Sequence, residues 1–208
     1  QSNELSENNL QLILNYDPHK IAVSLQGKKE SSMGIVSLGN KGLNLYKLGK
    51  FGWPVPPGFI VTTEVHKFHN LIKDYEPIRE NFMEQLGYQL EKIEKITGKK
   101  FGDQENPLLL SVRSGSSISQ PGMMDTFLNV GINENIVKGL ENKTGNKWFA
   151  WDCYRRFLQC YGMMYGMDRN SFDAIIIQLK KENSITFKRE FSGDMMEKLT
   201  LMYKEHIL

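Results

Sequence analysis

The 208-residue sequence has few cysteines, no long apolar run and little net charge. Its two cysteines, Cys153 and Cys160, lie seven residues apart on a predicted helix. Helical rise places their Cα atoms about 10 Å apart, which is too far for a disulfide. No run approaches the roughly 20 apolar residues that a membrane-spanning helix needs. The first residues also lack the basic and apolar regions of a signal peptide. These absences predict a cytoplasmic protein with reduced thiols.

Charge balance and composition exclude further classes of protein. Twenty-six basic residues against 24 acidic residues give a formal net charge of +2. This balance argues against binding to nucleic acid or to an anionic membrane through bulk charge. Hydrophobic residues make up 40% of the chain and charged residues 24%, values typical of a globular protein. An anion-binding site in this chain must therefore be local.

Several catalytic motifs are also missing. The sequence contains no Gly-x-Ser-x-Gly nucleophile elbow and no Gly-x-Gly-x-x-Gly dinucleotide motif. A Walker motif starting at Gly34 is excluded because Asn40 stands where the motif requires Lys. His66 and His69 lie three residues apart on a predicted helix, but no third metal ligand accompanies them. Surface histidines are therefore the preferred interpretation.

A Gly- and Ser-rich loop follows an Arg at the end of a predicted buried strand. The strand covers Pro107–Arg113, and the following residues up to Thr126 read Ser-Gly-Ser-Ser-Ile-Ser-Gln-Pro-Gly-Met-Met-Asp-Thr. Arg113 offers a planar fork of donors to a phosphate, and Gly and Ser let backbone N–H groups approach its oxygens closely. The adjacent Met123 and Met124 indicate a flap that closes over a ligand or docks into a groove. The alternative is an ordinary surface hairpin with one exposed Arg.

A second candidate lies at the start of a predicted short helix. The segment Gly39–Gly42 reads Gly-Asn-Lys-Gly and places Lys41 beside the N–H groups of the helix start. A Lys charge next to these groups suits a phosphate. By itself, the segment is better described as a glycine-flanked surface Lys.

Aromatic residues alternate with Arg155 and Arg156 between Trp148 and Tyr165, a pattern that suggests stacking on nucleic-acid bases. Helical spacing favours a stripe that faces the core instead. The residues of this stripe are Trp151, Tyr154, Leu158, Tyr161 and Tyr165. The balanced charge also favours the core interpretation.

The order of predicted elements indicates an α+β fold in three parts. Residues 1–33 are a loosely attached lead-in, 34–131 an α/β part with a small sheet, and 132–208 an all-helical part, with the boundary near Gly131. The predicted strands are 59–63 and 107–113, and the predicted helices are 64–75, 77–97, 134–142, 147–166, 171–182 and 194–206. The chain does not begin with Met and stops at Leu208 inside a periodic helix, so we expect it to be part of something longer.

Taken together, these segments resemble the N-terminal nucleotide-binding domain of the pyruvate, phosphate dikinase family. The resemblance runs from about residue 34 to 208 in order and at family-like spacing. The matching stretches are Ser37–Leu45, Trp53–Glu64, Leu110–Gly115, Gln120–Thr126, Lys143–Asn146 and Phe149–Phe157.

The resemblance implies an ATP-grasp-like fold in an enzyme that converts ATP, pyruvate and phosphate to AMP, phosphoenolpyruvate and diphosphate. A histidine on another domain carries the phosphoryl group to a pyruvate-binding domain. Lys41 matches the ATP-contacting Lys, Arg113 matches the catalytic Arg at the phosphates, and the loop over the phosphates is matched by four more residues. These residues are Gly122, Met124, Asp125 and Thr126.

The resemblance also implies Mg²⁺, with its carboxylate ligands expected beyond Leu208, so that this fragment alone would not turn over. Asn40 replaces a Gly of the family turn, and Ser116-Ser117 stands where members often have Ala-Arg. A degenerate module that binds a nucleotide or a partner protein without catalysis therefore stays an alternative. A phosphoenolpyruvate synthase is another alternative, which the segment 120–126 disfavours.

Overall fold

The computed structural model describes residues 7–26, 34–114 and 126–208, which form a mainly helical α+β fold. The predicted class is confirmed, and ATP-grasp membership stays a prediction. Within the described residues, the helices are α1 (Glu7–Asn15), α2 (Ile35–Lys50), α3 (Glu64–Lys67), α4 (His69–Asp74), α5 (Glu76–Thr97), α6 (Glu134–Thr144), α7 (Lys147–Met164), α8 (Arg169–Glu182) and α9 (Gly193–Ile207). The strands are β1 (Ala22–Ser24), β2 (Phe59–Val61), β3 (Leu110–Arg113) and β4 (Thr126–Val130). Short 3-10 helices cover Pro18–Lys20 and Lys188–Glu190.

Polar caps and glycines set the ends of several helices. Before each of four helices, a side chain accepts a hydrogen bond from a backbone N–H group of the first turn. These capping residues are Asn133, Asn146, Asp168 and Ser192. Gly98 and Gly145 end α5 and α6 in the left-handed conformation that glycine adopts readily. These local signals explain why the predicted helices in this region lie within a few residues of the observed ones.

The chain divides into two compact units, the first holding described residues up to Gly98 and the second those from Lys99 onward. The change of sequence pattern places the boundary near Gly131 instead. The difference arises because the hairpin of β3 and β4 packs with the helices that follow it. Asn129 of β4 donates its side-chain amide to the Cys153 carbonyl of α7 at 3.1 Å.

The first unit contains an antiparallel pair of strands, β1 and β2, with Ala22 opposite Val61. Its core consists of Ile21, Phe68, Leu71 and Ile78. Tyr16 packs edge-to-face on Phe68 with ring centroids 5.2 Å apart, and its hydroxyl donates to Asn81 Oδ1 at 3.0 Å. Residues 16–24 are therefore packed into this unit rather than loosely attached to it.

The second unit is built around α7, which packs against α6, α8, α9 and β4. Its core consists of Ile132, Ile136, Val137, Ala150, Trp151, Tyr154, Leu158, Phe172, Leu179, Phe191, Met196, Leu199 and Tyr203. The predicted core stripe is confirmed at three positions on α7, but Tyr161 is 38% exposed and Tyr165 is 69% exposed. The stripe leaves the core there because Gly162, and not Tyr161, is the buried position at this end of α7.

Candidate functional site

Helix α2 is interrupted at Gly39, and this interruption shapes the surroundings of Lys41. Gly39 is buried and has φ 67° and ψ 166°, a combination that essentially only glycine adopts. The chain turns there and re-enters a helix at Asn40, so Lys41 lies in the first turn of the second helical segment. The predicted helix start beside Lys41 is therefore confirmed, although Ile35–Leu38 before the turn is helical as well.

The first turn of this segment suits an anion. Backbone N–H groups at a helix start have no carbonyl partner within the helix and carry partial positive charge. Lys41 is exposed and adds a full positive charge at this point. Gly42 packs against the sheet, because a Cβ atom there would lie 3.1 Å from Ile60 Cδ1. The turn therefore lies close to β2, with the Lys41 side chain in solvent.

Arg113 lies at the end of β3 and is exposed, as are Ser111 and Val112. The prediction of a buried strand from 107 to 113 is therefore wrong in its second half, although Pro107 and Leu108 are buried. The reason is that, among the residues that the structure describes, β3 belongs to a sheet of two strands and pairs with β4 alone. Arg113 is consequently exposed and available to a ligand.

A bulge in the hairpin determines which residue faces Arg113. Leu110 pairs with Val130, whereas Val112 pairs with Phe127, so β4 has one extra residue between these pairs. Asn129 in this bulge has φ 60°, a left-handed conformation that Asn tolerates better than most residues. With this register, Arg113 pairs with Thr126.

The structure brings two of the predicted site residues together, since Arg113 and Thr126 are cross-strand partners in the second unit. Lys41 belongs to the first unit. The other three predicted residues, Gly122, Met124 and Asp125, lie outside the described residues. Among the described ranges, no ion pair involves Lys41 or Arg113.

An ionic cluster on α7 was not anticipated from the sequence. The buried carboxylate of Asp152 accepts hydrogen bonds from Arg155 Nε at 2.8 Å, Arg156 Nε at 2.7 Å and Lys188 Nζ at 2.9 Å. Three cations therefore share one carboxylate. The sequence did contain a signal for this cluster, because Arg155 and Arg156 follow Asp152 by three and four residues. Side chains at these spacings contact each other on a helix.

Charges within this cluster change the pKa values of its members. Burial raises the pKa of the Asp152 carboxyl, but Arg155 and Lys188 outweigh burial and hold that pKa below its usual value. Burial lowers the pKa of the Lys188 ammonium. The hydrogen bond to Asp152 opposes this effect, but burial together with the nearby Arg155 and Arg156 keeps that pKa below its usual value. Asp152 is therefore a firmly ionised anchor for the surrounding cations near neutral pH.

Some features are absent from the part of the chain that the structure describes. No group of three or more His, Cys, Asp or Glu side chains is arranged to hold a metal ion in residues 7–26, 34–114 and 126–208. His66 and His69 are exposed, as predicted, and Cys153 and Cys160 are free thiols. None of the helices in these same ranges combines the length and apolar character needed to cross a membrane.

Comparison with known proteins links these features to one enzyme family. The chain is 42% identical over 174 residues to pyruvate, phosphate dikinase from Clostridium symbiosum, a match covering 81% of this chain and 20% of that protein. It is 40% identical over 167 residues to the Entamoeba histolytica enzyme, covering 80% and 19% respectively. The resemblance to pyruvate, phosphate dikinase is confirmed. A match of 38% over 181 residues to the chloroplastic pyruvate, phosphate dikinase of Mesembryanthemum crystallinum covers 86% of this chain and 19% of that protein.

The chain spans about a fifth of the length of the pyruvate, phosphate dikinases that it matches. Those proteins therefore contain other regions besides the matched one. No protein-family model matches the sequence.

Proposed function

We propose that this chain is the N-terminal nucleotide-binding part of a pyruvate, phosphate dikinase, with an ATP-grasp-like fold. The observation that carries the proposal is the similarity to dikinases over about four fifths of the chain. The turn at Gly39 supports it, because it puts the exposed Lys41 at a helix start. The full-length enzyme would convert ATP, pyruvate and phosphate to AMP, phosphoenolpyruvate and diphosphate in the cytoplasm.

The proposed roles follow from what phosphoryl transfer needs from a protein, which is mainly positioning and neutralisation of charge. Lys41 and the N–H groups of its helical turn bind phosphate oxygens of ATP. Arg113 binds the phosphates through its planar fork of donors. The matching residues Gly122, Met124, Asp125 and Thr126 contribute to the loop over the phosphates. A histidine on another domain of the same chain accepts the phosphoryl group and carries it to the pyruvate-binding domain.

The described residues do not fit a Mg²⁺ site, because they contain no cluster of three or more carboxylate, His or Cys ligands. The metal that the family implies therefore needs ligands from residues outside the described ranges. For the same reason, and because only about a fifth of a dikinase is represented, we expect no turnover by the 208 residues alone.

Arg113→Ala in the full-length dikinase tests this function. We expect the ATP-dependent phosphorylation of the histidine on the other domain to fall at least about 100-fold, because removing one preorganised donor to developing charge slows a reaction by that factor. The measurement is transfer of label from ATP to the protein. Arg169→Ala is a matched control, since Arg169 is also exposed and in the same unit but outside the proposed site. A normal rate in Arg113→Ala would refute the assigned role.

A second candidate function is a non-catalytic module that binds a nucleotide or a partner protein. Asn40 favours it, because this residue replaces a family Gly beside Lys41 and its side-chain oxygen accepts from Asn44 Nδ2 at 3.2 Å. Sequencing the gene downstream of Leu208 distinguishes the two. Absence of acidic metal ligands and of a phosphocarrier histidine there would favour the module.

A phosphoenolpyruvate synthase is the third candidate and shares much of the chemistry. The segment Gln120–Thr126 favours the dikinase over it. A phosphate requirement and the production of diphosphate by the full-length enzyme would decide for the dikinase.

A further inference from the structure

Two adjacent threonines after β2 donate hydrogen bonds to two different segments of the first unit. Thr62 Oγ1 donates to the Lys20 carbonyl at 2.7 Å, next to β1. Thr63 Oγ1 donates to the Val36 carbonyl at 2.8 Å, in the first turn of α2. The two hydroxyls thus have the same chemistry but hold different parts of the chain.

Thr63 also uses its backbone, since its N–H group donates to the Ser37 carbonyl at 2.9 Å. One residue therefore binds two consecutive carbonyls of the turn that leads into Gly39. The N–H group of Leu38 bonds back to the Gly34 carbonyl at 3.1 Å, which closes this turn. Leu38 itself is buried, so the turn is fixed from the core side as well.

The interruption at Gly39 explains why these carbonyls need another donor. In an uninterrupted α-helix, the carbonyls of Val36 and Ser37 would accept from the N–H groups of Asn40 and Lys41. The backbone of Gly39, with φ 67° and ψ 166°, is incompatible with that pattern. Thr63 supplies donors to both carbonyls. A second helical segment starts after Gly39, and the first N–H groups of a helical segment have no carbonyl partner within that segment.

We infer that Thr63 is a positioning residue for nucleotide binding, which holds the turn before Gly39 so that Lys41 and its helix start face the phosphates of ATP. This inference rests on the proposed function, because it requires Lys41 to contact ATP. Thr63 acts through the backbone of residues 36 and 37 and not by touching the nucleotide.

Thr63→Val in the full-length dikinase tests the inference, because valine keeps the shape of threonine and removes the hydroxyl. We expect the KM for ATP in histidine phosphorylation to rise about three- to tenfold, the range for one lost hydrogen bond. The kcat and the KM values for pyruvate and phosphate should change less than twofold. Thr63→Ser keeps the hydroxyl and should restore the KM for ATP.

Thr62→Val is the matched control, since it removes a hydroxyl whose hydrogen bond to the Lys20 carbonyl is about as short as that of Thr63 to Val36. It should lower the melting temperature without raising the KM for ATP. An equal rise of KM in both valine variants, or no rescue by Thr63→Ser, would overturn the positioning role. Lys41→Ala tests the proposed function separately from the role of Thr63. An unchanged KM for ATP in this variant would refute the proposed function itself. A raised KM in Lys41→Ala together with a normal KM in Thr63→Val refutes only the inference.

Hydrogen exchange provides a readout that does not depend on activity. In the full-length protein, Thr63→Val should increase deuterium uptake by a peptide covering residues 35–43 at least twofold, and Thr63→Ser and Thr62→Val should not. Unchanged uptake in Thr63→Val would contradict the role of Thr63 in holding this turn.

Discussion

Asp152 is a single buried carboxylate that binds three cationic side chains. Its side chain is only 4% exposed and contacts Arg155, which is 6% exposed, as well as Arg156 and Lys188. Removing one partner of a buried ion pair costs more than the pair contributes, because the remaining charges stay buried without compensation. The stability of the second unit should therefore depend on this carboxylate.

We expect Asp152→Asn to lower the free energy of unfolding by about 3 kcal/mol at pH 7, because three cations lose their shared counter-charge. Urea denaturation followed by circular dichroism measures this value. Asp173→Asn is a control at an exposed ion pair, in which Arg169 Nε and Asp173 Oδ2 are 4.0 Å apart. This substitution should lower the free energy of unfolding by less than about 1 kcal/mol. Equal losses in both variants would contradict the special role of Asp152.

The same variant should show a defined pH dependence. The folded-state pKa of Asp152 is lowered, so its stabilising contribution is complete above the unfolded pKa of about 4 and is lost as pH falls through the folded pKa. The difference in unfolding free energy between the wild type and Asp152→Asn should therefore shrink as the pH falls below about 4. A difference that grows on acidification would be inconsistent with the lowered pKa.

At the scale of elements, close approaches between helices depend on single glycines. Gly162 of α7 is buried between α8 and α9, and a Cβ atom there would lie 2.6 Å from Phe172 Cζ and 2.9 Å from Met167 Sδ. Gly87 of α5 has nothing within 4 Å of the same hypothetical atom. Both residues lie in helices and look alike in the sequence, so only their neighbours distinguish them.

Gly162→Ala should lower the free energy of unfolding by about 1–3 kcal/mol, because overpacking outweighs the better helix propensity of alanine. Gly87→Ala is the matched control and should raise stability by about 0.5–1 kcal/mol through helix propensity alone. Differential scanning calorimetry of the three proteins compares these changes. A stabilising effect of Gly162→Ala would contradict the expected overpacking, because it would mean that α7 and α8 can move apart to accommodate a methyl group.

At the scale of the whole molecule, the two units have separate cores. Among the described residues, the main core cluster of the second unit has thirteen buried residues, from Ile132 to Tyr203, and the hairpin of this unit packs on α7. A unit with its own core is expected to fold by itself. The first unit has a smaller core, centred on Ile21.

We therefore expect residues 99–208 to unfold in one cooperative transition when they are produced alone. Residues 132–208, which begin at the boundary predicted from the sequence, should be less stable because α7 loses the hydrogen bond from Asn129 and the cover of β4. Thermal denaturation followed by circular dichroism compares the two. Equal melting temperatures would favour the boundary near Gly131 over the observed division.

The presence of the helices in the second unit was predictable from the sequence, because capping residues and periodic apolar residues are local signals. Ser192 and the apolar positions of α9 lie within a few residues of one another, and the predicted helix 194–206 is close to the observed Gly193–Ile207. Burial of β3 was not predictable in the same way. Its exposure depends on the number of strands in its sheet, which a run of apolar residues does not reveal.

The sequence alone determined the family resemblance, the glycine turn before Lys41 and the presence of most helices, because each depends on residues that are neighbours in the chain. The tertiary structure decided where the units divide, which residue pairs with Arg113, and that Lys188 joins Asp152 from 36 positions away. It also placed the carbonyls of Val36 and Ser37 against Thr63. These contacts join residues far apart in the chain, and packing and hydrogen bonding select them only once the chain has folded.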